Sequence, residues 1–172
     1  MTPRLSALLL AFVPIAALAG SFRSASLSDD RTTLVITSAD GSSFEAPKLS
    51  EQVQFDQPRV SPDGRHVGWL ARYADYYTYP IALDLVILDE SRRLHTFEGS
   101  RPLFAWCFTA DARSVALGQA FPHFSQERLF ERRRIADERL LAAYAYPEEE
   151  RKNRLAQRRA PAWVRCVSPP SD

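Results

Sequence analysis

Three histidines, two cysteines and two short aromatic clusters are the residues best equipped for chemistry in this 172-residue chain. His66, His95 and His123 are scattered, with no HExxH pair and no CxxC pair, so no metal-ligand spacing is spelled out. A GxSxG nucleophile elbow is absent, and the six glycines form no phosphate-cradling loop. The reading is therefore a chain without a catalytic residue, metal or cofactor.

The aromatic clusters point elsewhere. "RYADYYTYPI" (72–81) carries Tyr73, Tyr76, Tyr77 and Tyr79, and "AFPHFSQ" (120–126) carries Phe121, His123 and Phe124. Tyrosine pairs a large rigid ring with a polar tip, which suits a recognition surface. The same rings could instead fold back and cap a core. Arginines at 128–134 and 151–159 are interleaved with Glu127, Glu131, Glu138 and Glu148–Glu150, which reads as a solvated, salt-bridged surface.

The elements that place these clusters come from a repeat. "RVSPDGRHVGWLARY" (59–73) reads as strand, tight turn, strand. Pro62 fixes φ at the first central position, Asp63 bonds its own backbone, and Gly64 permits positive φ. "PLFAWCFTADARSVALGQAF" (102–121) repeats it 48 residues on, setting Thr109-Ala110-Asp111-Ala112-Arg113 over Ser61-Pro62-Asp63-Gly64-Arg65. "LDLVILDESRRLHTF" (83–97) and "RLFERRRIADERLLAAY" (128–144) follow the two copies as matching hairpins. Residues 125–145 also suit a helix by composition, but the repeat register favours the hairpin. Four short strands in each period of this length signify a propeller blade. "TTLVITSADGSSFEAPKL" (32–49) reads as the outer hairpin of a preceding blade, turning at Asp40-Gly41. "PAWVRCVSPP" (161–170) reads as the inner strand of a following one. Residues 147–160 read as a short charged helix or a loop, with Glu148–Lys152 and Glu150–Arg154 spaced for helical pairing.

"RVSPDGRHVGW" resembles the repeat of TolB-like, WD40-like bacterial propellers, whose turn is serine-proline-aspartate-glycine before an apolar strand. The resemblance spans about residues 32–146 and is degenerate at the second turn, where Ala110 and Ala112 replace proline and glycine. It implies an all-β partial propeller of about three tandem four-stranded antiparallel blades. It also implies short secreted bacterial proteins with few repeats, and a likeness to propellers that accompany prolyl-oligopeptidase-type hydrolase domains.

Residues 1–19 read as a secretory signal. Arg4 precedes an apolar run from Leu5 to Leu18, and Ala17-Leu18-Ala19 supplies small residues for cleavage after Ala19. Ser21 stands where a lipoprotein box needs cysteine, so no lipid anchor and no membrane span would follow cleavage. Residues 20–31 read as a linker, and 32–172 as the propeller domain. Without Arg4 the basic and acidic residues balance, which argues against nucleic acid as a partner. Cys107 and Cys166 fall at equivalent places on inner strands of adjacent blades. Packed sheets lie about 10 Å apart, whereas a disulfide needs Cα atoms within about 7 Å. Inner strands converge towards an axis, so a bridge stays open.

About three blades are fewer than the four to eight of closed rings, and open sheet edges invite pairing. The expected function is a non-catalytic periplasmic or secreted binding or scaffold module. It would hold a protein or cell-envelope partner, with a homodimer through open blade edges as one arrangement. The alternatives are a degenerate relative of a prolyl-oligopeptidase-type propeller domain, or a structural protein without ligand.

Overall fold

A computed structural model of the chain describes residues 21–74, 79–121, 128–146 and 159–167. Eleven described strands form three antiparallel meanders. The first blade contains β1 (Phe22–Leu27), β2 (Leu34–Ser38) and β3 (Ser43–Glu45). The second contains β4 (Gln52–Val60), β5 (His66–Tyr73), β6 (Ile81–Asp89) and β7 (Leu94–Glu98). The third contains β8 (Leu103–Phe108), β9 (Ser114–Gln119), β10 (Arg128–Arg134) and β11 (Leu140–Tyr146). A helix, α1 (Ala162–Val167), follows.

Both full blades run in plain strand order, β4-β5-β6-β7 and β8-β9-β10-β11. Within the segment read as hairpin or helix, the described residues 128–145 form a hairpin, with Leu129 opposite Ala145 and Arg132 opposite Ala142. Residues 147–158, expected as a charged helix or loop, lie outside the described residues, as does the signal segment 1–19.

The two-residue period of β5 explains the stacking, because alternate side chains leave opposite faces of the sheet. Val67, Trp69 and Ala71 join Phe22, Leu34, Ile36 and Phe55 in a core between the first and second blades. Leu70 on the other face joins Leu85, Ile87, Trp106 and Leu117 in a core between the second and third. On β9, Val115 and Leu117 face the second blade, while Ala116 faces Val164 and Val167 of α1. Every residue of β9 is buried, as expected of a sheet covered on both sides.

Two expectations are corrected. Residues 20–31 are not a linker throughout, because β1 pairs with β2 from Leu27–Leu34 to Phe22–Ser38. The serines of β1 hid the strand: its outer face is polar. Residues 161–170 do not supply an inner strand. Pro161 lacks an N–H for a ladder and instead starts a helical turn, its carbonyl accepting from Val164 N at 2.9 Å and Arg165 N at 3.2 Å. Val164 and Val167, three residues apart, then share one buried face.

The two ends of the stack differ in faces and in loops. On the first blade Ser24 pairs with Thr37, and Thr37 with Ser43, while Val35 lies between Ser26 and Glu45. That exposed face is largely hydroxyl-bearing. At the other end α1 covers the third blade. Because strands alternate in direction, the β5–β6 and β9–β10 connections emerge at one end of the blades. The β4–β5, β6–β7, β8–β9 and β10–β11 turns emerge at the opposite end.

Candidate functional site: the aromatic loop end

The turn end sets the register of the strands that rise from it. Ser61 Oγ donates to Asp63 Oδ1 at 2.6 Å, and the same oxygen accepts Arg65 N at 3.1 Å. Thr109 and Asp111 repeat this at 2.6 Å, with Arg113 N at 3.1 Å. Gly64 takes φ 69° and Ala112 takes φ 54°, so the degenerate second turn keeps the left-handed residue without glycine. Burial raises the Asp63 carboxyl, but bonds from Ser61 and the Arg65 amide outweigh it and hold the pKa below the usual value. The Thr109 hydroxyl and the Arg113 amide lower Asp111 likewise. Ser61, Pro62, Asp63, Gly64 and Asp111 are thus engaged in turn formation.

A cleft of about 570 Å³ lies between the turns of the second and third blades. Its charges are largely answered locally. Arg65 meets Glu90, Arg134 meets Asp137 at 3.2 Å, and His95 Nε2 lies 3.2 Å from Asp89 Oδ2. Among the described residues no three His, Cys, Asp or Glu side chains converge as metal ligands. The cleft mixes signs without concentrating either one.

The loop end has a different character. Four large hydrophobic side chains are exposed among the described residues: Val53, Tyr79, Phe121 and Leu140. Three belong to this end: Tyr79 in the β5–β6 connection, Phe121 in the β9–β10 connection, and Val53 at the start of β4. Tyr79 is 79% exposed and Phe121 46%. The Arg101 guanidinium stands 5.7 Å from the Phe121 ring, a cation–π arrangement. Tyr76, Tyr77, His123 and Phe124 fall outside the described residues. Tyr73 faces inward instead: its hydroxyl donates to Asp84 Oδ2 at 2.6 Å. Burial, and then this bond, push its phenol well above the ordinary value. Tyr73 therefore braces β5 against β6.

Residues that the sequence reading passed over hold the two exposed rings in place. Asp56 is 8% exposed, and Arg72 approaches it at 2.7 Å and Arg31 at 3.2 Å. Arg72 also donates to the Pro80 carbonyl, fixing the backbone beside Tyr79. Gln119 is fully buried, and its Oε1 accepts from Ser100 Oγ at 3.1 Å and Arg101 N at 3.2 Å. Ala120 N donates to Pro102 O at 3.0 Å, which anchors the chain just before Phe121. The available signal was a lone acid in an otherwise mixed strand, Asp56, and a glutamine closing an apolar one.

Cys107 and Cys166 form a disulfide, with Cα atoms 6.1 Å apart. The bond joins β8 to α1, not two inner strands. Cys166 is exposed, whereas Cys107 is 4% exposed beneath it.

No family model and no curated protein sequence matches this chain. Solved structures do. The β-propeller domain of the Trilobed protease from Pyrococcus furiosus, described as having an open velcro topology, superposes with a TM-score of 0.51 at 13% identity. The match covers 72% of this chain and 38% of that one. Pyrococcus horikoshii acylaminoacyl peptidase matches with a TM-score of 0.48 at 13% identity, over 67% of this chain and 20% of the peptidase. Kuenenia stuttgartiensis hydrazine synthase gives 0.47 at 13%, over 71% and 36%. The chain thus spans between a fifth and two fifths of these three solved chains. With the blade stack described above, the first of these similarities establishes an all-β partial propeller. At such identity it establishes the fold alone.

Proposed function

We propose that this chain is a non-catalytic, exported binding module of the TolB-like kind, and that it holds a protein or cell-envelope partner at its aromatic loop end. The observation that carries this reading is the gathering of Val53, Tyr79 and Phe121, exposed, at one end of the stack. Exposed aromatic rings on a rigid frame lose little conformational entropy on contact and bury large areas. Export is supported by the Cys107–Cys166 bond, which persists in oxidising compartments, and by the signal-like residues 1–19. Nucleic acid is not the partner proposed, because the charge is balanced.

The test is a photo-crosslinking amino acid placed in turn at Tyr79, at Phe121 and at Ser91 on the turn end, with the protein expressed in its own compartment. Discrete adducts at the first two positions and none at the third support the loop end. Adducts at Ser91 alone reject it.

A second reading makes the chain a relative of the propeller domain of a prolyl-oligopeptidase-type hydrolase. It is favoured by the fold similarity to the Trilobed protease propeller. A serine-reactive fluorophosphonate probe separates the two: under the second reading the partner cross-linked at Tyr79 or Phe121 is a serine hydrolase that the probe labels, and under the first it is a partner that the probe does not label.

A further inference from the structure

We infer that the groove between α1 and the third blade is a binding site for a small carboxylate with an apolar body, and that Arg132 receives the carboxylate. The inference uses none of the aromatic loop-end residues and holds whether or not that end meets a partner.

Arg132 stands where the preceding blade has a core residue. In the third blade it pairs with Ala116 on one side and Ala142 on the other. The same step of the ladder in the second blade pairs Gly68 with Ile87. Ile87 is fully buried and shares a core with Trp106 of the next blade. Directly paired residues leave the same face of a sheet. Arg132 therefore issues from the face that carries Ala116 and packs against α1, at a position that the second blade gives to isoleucine.

Its neighbours in sequence have counter-charges and it does not. Arg133 meets Glu131 at 2.7 Å, and Arg134 meets Asp137 at 3.2 Å. Arg132 makes no ion pair among the described residues, and its buried Nε has no hydrogen-bond acceptor. The side chain is half-buried. A guanidinium taken partly out of water without a counter-charge is costly to the fold, and an incoming anion relieves that cost.

The space beside it sets the rest of the ligand. A groove of about 410 Å³ is lined by Phe108, Thr109, Asp111, Arg132, Trp163 and Cys166, among others. That volume is in the range of small-molecule sites, which combine apolar walls with a few polar groups. Phe108 and Trp163 supply the rings, and the Cys107–Cys166 bond ties α1 to β8 and so holds the two walls together. Asp111 is the acid in this lining, and its own turn engages it: Oδ1 accepts from Thr109 Oγ1 at 2.6 Å and from Arg113 N at 3.1 Å. It is exposed and does not pair with Arg132. A planar carboxylate matches the guanidinium fork, and the rings take the apolar body behind it.

The experiment titrates the oxidised chain with phenylacetate, with its neutral amide phenylacetamide and with inorganic phosphate, followed by calorimetry and tryptophan emission. Trp69 and Trp106 are buried between blades, so Trp163 reports on the groove. The expected result is saturable binding of phenylacetate with a change in emission, roughly tenfold or more tighter than the amide or phosphate. Arg132→Gln should remove the preference for acid over amide and leave the circular dichroism unchanged. Trp163→Phe should abolish the emission change. A native chain that binds acid and amide alike, or neither, overturns the proposal without recourse to a variant. Phosphate bound as tightly as phenylacetate does so too, because the rings would then contribute nothing. A preference that survives Arg132→Gln, or an emission change that survives Trp163→Phe, would place the ligand elsewhere and overturn it equally.

Discussion

Gln57 accepts a hydrogen bond from Trp106 across the junction of the second and third blades and returns one to Phe104. The Trp106 indole Nε1 donates to the Gln57 carbonyl at 3.0 Å, and Gln57 Nε2 donates to the Phe104 carbonyl at 2.9 Å. Gln57 sits at a bulge in β4 between Asp56 and Arg59, with φ 46°. The bulge turns its carbonyl out of the β4–β5 ladder and towards the next blade. An apolar core alone leaves the offset between sheets loosely defined, whereas these two directional bonds set it.

Trp106→Phe keeps most of the apolar contact and removes the donor. It strands the Gln57 carbonyl and leaves a gap where the second ring was. The expected loss is about 2–3 kcal/mol. Urea denaturation followed by circular dichroism should show a lower midpoint with an unchanged slope. Denaturation at the native midpoint would mean that the bond contributes nothing net.

Gly68 makes the same junction possible from the other side. A Cβ there would fall 2.5 Å from Trp106 Cη2 and closer still to Ile87 Cδ1. Gly68→Ala should therefore overpack the junction and cost about 1–3 kcal/mol. The matching position in the next copy is Ala116, which faces Val164 and Val167 of α1 and not Trp106. Ala116→Gly should cost less than Gly68→Ala, and thermal melts of the two variants check the order. Equal melting temperatures would show that the tryptophan shifts aside freely.

The blade pattern was legible in the sequence because it rests on local rules. Pro62, Asp63 and Gly64 encode a turn by themselves, and Asp111 with Thr109 repeats its hydrogen bonds even with Ala112 in place of glycine. Alternation along β5 and β6 then dictates two buried faces. What escaped notice depends on distant partners. β1 is a strand because β2 pairs with it and β4 packs beside it, although FRSASL shows little apolar alternation. At 161–170 only Val167-Ser168-Pro169 matches Val60-Ser61-Pro62 of the repeat, too few residues to define a strand against Pro161 and the Cys166 tether. Tyr73 and Tyr79 share a residue type and a loop. Only Asp84, found across the β5–β6 ladder, tells the inward ring from the outward one.

Asp56 links stability to the loop end. Its carboxylate takes Arg72 Nε at 2.9 Å, Arg31 Nη1 at 3.2 Å and the Gln57 amide at 3.0 Å. Asp56→Asn keeps the shape but turns an acceptor into a donor facing Arg72. The expected cost is about 3 kcal/mol, because a partly buried guanidinium loses its counter-charge. Arg72 also holds Pro80, so the frame of Tyr79 should loosen while Phe121, anchored through Gln119, should not. Cross-linking from position 79 should fall in this variant and cross-linking from position 121 should persist. Equal loss at both would mean that the variant has simply unfolded.

Acid should destabilise the stack in two steps. His66 lies with its ring 6.3 Å from Phe108 of the third blade, and burial lowers its pKa below the ordinary imidazole value. The unfolded chain then holds the proton more tightly than the folded one. The stability contributed by neutral His66 is present above the unfolded value of about 6.5. It is lost as pH falls through that value towards the lower folded one. Asp63 and Asp111 follow the same sign further down. Their folded pKa values are depressed, so their contribution is present above about 4 and is lost as pH falls below it. Asp30, held at about 2 by the Ser28 hydroxyl and the Thr32 amide and hydroxyl, contributes with the same sign. His66→Gln should remove the upper step and leave the lower one. Urea midpoints measured at intervals from pH 7.5 to about pH 3 resolve the two steps. An upper step that persists in His66→Gln would assign it to another group.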